Sequence, residues 1–120
     1  MARILLVEDD LPVQRMYHNA LAEEYDVLSV ESSREAIAAV DEFQPDLIVL
    51  DLNLPDAPGA TVIEYVQATG AAAKIIVLTG FVQNRRPNLP DAVVEMLHKP
   101  VTTSTLLRVI RAALSSQISR

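Results

Sequence analysis

The chain has no cysteine, which excludes disulfides and any metal site built on thiolates. It has no basic excess either. Ten Lys and Arg stand against sixteen Asp and Glu, a formal net charge of -6. A general affinity for nucleic acid needs a basic surface and is not expected. No apolar run approaches the ~20 residues that span a bilayer. The start, Met1-Ala2-Arg3 followed by four apolar residues and three acids, is too short for a signal peptide. Internal repeats and low-complexity segments are missing as well. What remains is one domain over residues 1–120, half apolar, large enough to bury a core without staples. A cytoplasmic location without membrane contact is expected.

Four apolar runs stop at polar residues. Ile4-Leu5-Leu6-Val7 meets Glu8-Asp9-Asp10, Leu47-Ile48-Val49-Leu50 meets Asp51, Ile75-Ile76-Val77-Leu78 meets Thr79-Gly80, and Val93 to Leu97 leads through His98 to Lys99-Pro100. Such runs fit strands buried on both faces of a parallel sheet. Parallel strands put all four polar ends on one edge, where open α/β sheets bind ligands. After Asp51, the residues Asn53, Leu54, Pro55 and Gly59 predict a loop.

Helical patterns fill the intervals. Leu11, Met16, Leu21 and Tyr25 recur at roughly helical spacing, with Pro12 suited to the first turn. Asp26 to Val30 reads as a short second strand. Ser32 and Glu35 form a capping-box signature, ahead of an apolar face of Ile37, Val40 and Phe43 that Pro45 closes. A third helix is expected from Ala60 to Thr69, burying Val62, Ile63 and Val66 and stopped by Gly70. A last helix starts near Thr103, with Leu106, Leu107, Ile110, Ala113 and Leu114 inward. Five alternations predict an α/β fold, a parallel sheet with helices on both faces. Between Thr79 and the last strand, Pro87, Pro90, Asn84 and Asn88 argue against a regular fourth helix. That helix is expected to be shortened or replaced by a loop, with Phe81, Val82 and Leu89 covering the sheet.

The converging residues have a shared chemistry. Two carboxylates ~4 Å apart repel by about 4 kcal/mol at an effective dielectric of 20. Glu8, Asp9 and Asp51 together therefore call for a cation or raised pKa values. Oxygen ligands partly open to water suit Mg²⁺, which bridges carboxylates to phosphoryl oxygens. Lys99 offers a point charge for phosphate and Thr79 a hydroxyl donor. The set suits phosphoryl transfer, with Asp51 the best placed carboxylate to accept the group covalently. Asp10 is first a helix cap. His18 and His98 have no partner that suggests metal or catalysis, and Arg85-Arg86 is read as a solvated loop.

Val7-Glu8-Asp9-Asp10, Pro45-Asp46-Leu47-Ile48-Val49-Leu50-Asp51-Leu52-Asn53-Leu54-Pro55, Thr79-Gly80 and Lys99-Pro100 resemble the successive motifs of the response-regulator receiver family. The match covers essentially the whole chain. The resemblance implies a three-layer, doubly wound, five-stranded parallel sheet in the order 2-1-3-4-5. It implies that Asp51 accepts a phosphoryl group from a sensor histidine kinase or phosphotransfer protein, catalysing only its own phosphorylation and dephosphorylation. It further implies Mg²⁺ on Glu8, Asp9, Asp51 and the backbone carbonyl of Asn53, phosphoryl contacts from Thr79 and Lys99, and a cis Lys99–Pro100 bond. Asn53 and Phe81 would flank the phosphoryl group and tune its lifetime.

Two departures affect the output route. Met96 stands where the family commonly has an inward-turning aromatic residue, and a flexible Met between two packings would have to replace that switch. The proline-rich segment falls where the family's fourth helix contributes to its signalling and dimerisation surface. Only Ser119 and Arg120 follow the expected last helix, so the chain is either a receiver that acts alone, as monomer or weak dimer, on an unknown downstream protein, or a piece of a larger regulator or hybrid kinase. Rival readings remain. A phosphohydrolase with an aspartyl-phosphate intermediate would want an acid where Asn53 stands. A flavodoxin-like nucleotide or flavin binder would want a Ser/Thr/Gly-rich first loop in place of Glu8-Asp9-Asp10. A receiver-like docking module that is never phosphorylated would not need the complete residue set.

Overall fold

A computed structural model of the chain describes residues 1–80 and 90–115. Five strands, β1 (Arg3–Val7), β2 (Asp26–Val30), β3 (Leu47–Asp51), β4 (Lys74–Thr79) and β5 (Val93–His98), form one sheet. All pairs are parallel and the order is β2-β1-β3-β4-β5. Among the described residues there are four helices, α1 (Leu11–Ala22), α2 (Ser33–Phe43), α3 (Ala60–Thr69) and α4 (Thr103–Ser115).

Strand period two sorts the core into two layers. Leu5, Val7, Ile48, Leu50, Ile75 and Val77 face α2 and α3, meeting Ala36, Ala39, Val40, Val62, Ile63 and Val66. Ile4, Leu6, Leu47, Val49, Ile76 and Leu78 point the other way, onto Tyr17, Leu21, Leu106 and Ile110 of α1 and α4. β3, central in the order, is buried along its whole length, whereas β5 at the edge is buried at no position.

The helix ends follow local chemistry. Asp10 caps α1 by accepting from the Val13 amide at 3.3 Å, and Pro12 sits in the first turn. At α2, Ser32 accepts from the Glu35 amide at 3.1 Å, while the Glu35 carboxylate reaches back to the Glu31 amide at 2.8 Å. The box is thus formed one residue wider than the signature implies. α3 stops where Gly70 turns left-handed (φ 71), a backbone that glycine adopts without penalty.

Three expectations need correction or placement. The buried face of α1 is Val13, Tyr17 and Leu21, spaced by four, while Leu11 and Met16 are 41% and 48% exposed. The spacing of five between Leu11, Met16 and Leu21 drifts off one face, and Tyr17 can enter the core because its hydroxyl donates to the Val101 carbonyl at 2.8 Å. On α2, Ala36 and Ala39 join Val40 in the core, and Phe43 is half-buried beneath the Arg3 guanidinium, 5.9 Å from its ring centre. The loop or shortened helix expected between β4 and β5, with Phe81, Val82, Arg85, Arg86 and Leu89, lies outside the described residues.

Candidate functional site

Parallel pairing brings the strand ends to one edge. Val7 pairs with Leu50, Asp51 with Leu78 and Thr79 with His98. Glu8, Asp51 and Thr79 are nearly fully buried there and Asp9 is exposed. The Lys99 amide donates to the Thr79 carbonyl at 2.8 Å, which fixes the start of the segment after β5 beside the end of β4. The Lys99–Pro100 bond is cis, as the resemblance implies.

The Lys99 ammonium lies between two carboxylates, 2.9 Å from Glu8 Oε1 and 3.0 Å from Asp51 Oδ2. The other Glu8 oxygen accepts from the Asp10 amide at 3.2 Å, and Asp51 Oδ1 accepts from the Asn53 amide at 3.0 Å. Burial pushes the Glu8 carboxyl above its ordinary value, and the negative charge of Asp51 adds to the effect. Hydrogen bonds from Lys99 and the Asp10 amide oppose it. At Lys99 burial alone would depress the ammonium, but its hydrogen bonds and attraction to Glu8 and Asp51 outweigh that and hold it above its ordinary value.

Ligand oxygens of Glu8, Asp9 and Asp51 lie within 4.8 Å of one another. A hard divalent cation takes carboxylate oxygens at ~2.1 Å, so acids this close to one another are within reach of one shared ion. The donor set is all oxygen and one acid is open to water. The cluster fits Mg²⁺.

Several further residues support the site from outside it. Gln14 in α1 donates its side-chain amide to the carbonyls of Glu8 at 2.9 Å and Val30 at 3.1 Å, clamping the acid-bearing end of β1. Gly59 comes so close to β3 that an added Cβ would stand 2.7 Å from the Asp51 carbonyl oxygen. Asp56 bonds to the start of α2. Only the Gly59 signal was present in the sequence, as a loop glycine. His18 is structural, bonded to the Ser29 hydroxyl at 2.6 Å, and Met96 packs half-buried against the layer beneath α2 and α3. No helix among the described residues is long and apolar enough to cross a membrane.

Comparison with known proteins agrees with this geometry. The family model for the response regulator receiver domain matches residues 4–111. The response regulator MprA of Mycolicibacterium vanbaalenii is 33% identical over 115 residues, covering 93% of this chain and 50% of that protein. The transcriptional regulatory protein TrcR of Mycobacterium tuberculosis is 31% identical over 123 residues, covering 98% and 48%. The chain thus spans about half the length of these curated relatives. Among solved structures, a CheY-like receiver domain protein from Methanospirillum hungatei superposes with a TM-score of 0.85 at 25% identity, covering 98% of this chain and 96% of that one. The response regulator TrrA of Thermotoga maritima, in complex with Mg²⁺-BeF, gives 0.82 at 26% identity over 93% and 98%. With sheet order, acidic cluster and family match in agreement, this chain belongs to the response regulator receiver domain family, whose members serve phosphorylation-controlled signalling.

Proposed function

We propose that Asp51 accepts a phosphoryl group from a phosphohistidine on a sensor histidine kinase or phosphotransfer protein, and that the added charge changes which proteins the domain binds. The observation that carries this reading is the Lys99 ammonium held within 3.0 Å of both the Glu8 and Asp51 carboxylates. An Asp51 oxygen attacks phosphorus, the new P–O bond forms as the donor P–N bond breaks, and the departing imidazole nitrogen keeps the electron pair and takes a proton. Bound Mg²⁺, on Glu8, Asp9, Asp51 and the Asn53 backbone carbonyl, would supply charge neutralisation at the phosphoryl oxygens. Lys99 and the Thr79 hydroxyl contact those oxygens, and Lys99 exchanges part of its bond to Asp51 for the phosphoryl group. Catalysis is limited to the domain's own phosphorylation and dephosphorylation.

Phosphorylation replaces the single carboxylate charge of Asp51 with a phosphoryl group that carries ~1.5 to 2 negative charges. It shifts the domain between states only as far as the phosphoryl group interacts better with one of them. Thr79 and Lys99 are the residues through which that difference acts. Met96, half-buried in the layer beneath α2 and α3, takes the place of an aromatic switch by repacking. Asn53, exposed beside Asp51, sets water access and hence phosphoryl lifetime, a role shared with Phe81, which lies outside the described residues. Protein partners in preference to nucleic acid belong to the same reading, supported by the charge of -6, as does a cytoplasmic setting.

Incubation with Mg²⁺ and a small phosphodonor is expected to add one phosphoryl mass to the wild type. None should appear in Asp51→Asn or after chelation of the metal. Undiminished labelling of Asp51→Asn would overturn the assignment.

A further inference from the structure

The connection from β3 to α3 is held from outside by α2, whose residues the phosphoryl-transfer reading does not use. Asp56 sits in that connection. Its Oδ1 accepts from the Ser33 amide at 2.9 Å and its Oδ2 from the Arg34 amide at 3.0 Å. In return the Ser33 hydroxyl, on a residue only 1% exposed, donates to the Ala57 carbonyl at 3.0 Å. Contact therefore runs both ways between two segments more than twenty residues apart. Charge-assisted bonds from amides with no intrahelical partner are among the stronger ones a surface can offer.

α2 does not need Asp56 in order to start. Ser32 already accepts from the Glu35 amide within the helix's own first turn. The Asp56 contact adds a tie between helix and loop. At the loop's other ends, the Asn53 amide is bonded to Asp51 Oδ1 and the Gly59 amide returns to the Leu52 carbonyl at 3.0 Å. The three anchors confine residues 53 to 58, and Asn53, three positions before Asp56, has little freedom left between them.

Resting on the reading of Glu8, Asp9, Asp51 and the Asn53 carbonyl as the Mg²⁺ site, we infer that the Asp56–Ser33 clasp is a positioning device that fixes the place of the Asn53 carbonyl and so sets affinity for the divalent cation. Asp56 touches neither metal nor phosphoryl group in this scheme. It acts through the loop, and makes α2 a structural partner of the site.

Calorimetric titration of the full chain with MgCl₂ tests this in the wild type, Asp56→Ala, Asp56→Asn, Ser33→Ala and Ser32→Ala, each paired with a thermal melt. Asp56→Ala is expected to weaken Mg²⁺ binding about tenfold, the lower range for residues that orient metal ligands. Asp56→Asn keeps one acceptor and loses less, and Ser33→Ala falls between. Ser32→Ala removes a cap of α2 without touching the loop, so it lowers the melting midpoint and leaves Mg²⁺ affinity unchanged. Exchange of the Asn53 amide, followed without metal, quickens in Asp56→Ala and not in Ser32→Ala. Unchanged Mg²⁺ affinity in Asp56→Ala, or an equal loss in Ser32→Ala, would reduce the clasp to an ordinary helix cap. If Asp56→Ala does not fold, Asp56→Asn and Ser33→Ala decide by the same criteria. A wild type that binds no Mg²⁺ would remove the site reading and this role together; binding by the wild type with no loss in the variants removes only the clasp.

Discussion

The connections from β1 to α1 and from β3 to α3 begin alike and are secured differently. Both follow buried apolar strands, and a carboxylate of the candidate site stands at each junction, Glu8 just after β1 and Asp51 at the end of β3. The first becomes helix within three residues. Asp10 caps it locally and Gln14, from that same helix, secures the Glu8 carbonyl. The second runs eight residues from Leu52 to Gly59 before α3 begins. It depends on a glycine pressed against β3 and on two amides of α2. The short connection is thus secured by the helix it leads into, whereas the long one also borrows amides of α2. Lys99 bridges the two by bonding to an acid of each.

Lys99→Met strikes both connections and should have the largest effect. Breaking a buried pair on one side costs about 3–5 kcal/mol, and the loss here should be smaller because Lys99 is a quarter exposed. Denaturant unfolding without metal should show that drop, and Mg²⁺ should restore most of it by neutralising the same acids. A variant as stable as the wild type in chelator would mean the two connections are not coupled through Lys99. Gly59→Ala strikes the long connection alone. Its Cβ would meet the Asp51 carbonyl and Leu52 Cα at 2.7 and 2.8 Å, and overpacking of this kind costs about 1–3 kcal/mol. Amide shifts in that variant should change around Asp51 to Gly59 and leave residues 8 to 14 in place. Asp10→Ala is the counterpart for the short connection, expected to cost ~1 kcal/mol as a lost helix cap, with amide changes confined to the start of α1.

The smallest effect is a pH slope. Burial raises the Glu8 carboxyl above its unfolded value of 4.5. From that value up to the folded one, the folded state therefore holds the proton more tightly and stability falls as pH rises. Without metal, the wild type should lose stability relative to Glu8→Gln across that window. Mg²⁺, which binds the ionised form, should oppose the loss. Parallel pH profiles of the two proteins in chelator would remove Glu8 as the source.

The strands and their polar ends were legible in the sequence, because a continuous apolar run that halts abruptly at a charge fits a buried parallel strand better than a helix or a loop. Glu8, Asp51 and Lys99 could therefore be placed together from the chain alone. The inward face of α1 was harder. Leu11 and Met16 are apolar but exposed, and Tyr17 is buried only because Val101, 84 residues away, supplies an acceptor for its hydroxyl. Gln14 and Asp56 carry no signature for the same reason. A side chain that bonds to a distant backbone amide or carbonyl looks in sequence like any solvated polar residue. Gly59 could be recognised as a loop glycine, but not as one held against Asp51.

Reduction of the phosphodonor-treated, Mg²⁺-loaded protein with borohydride, followed by peptide mass mapping, tests the role of Asp51 most directly. An aspartyl phosphate is converted to homoserine, and conversion at position 51 alone is the expected result. Homoserine at position 9 or 10, or an unmodified Asp51 in fully labelled protein, would contradict it.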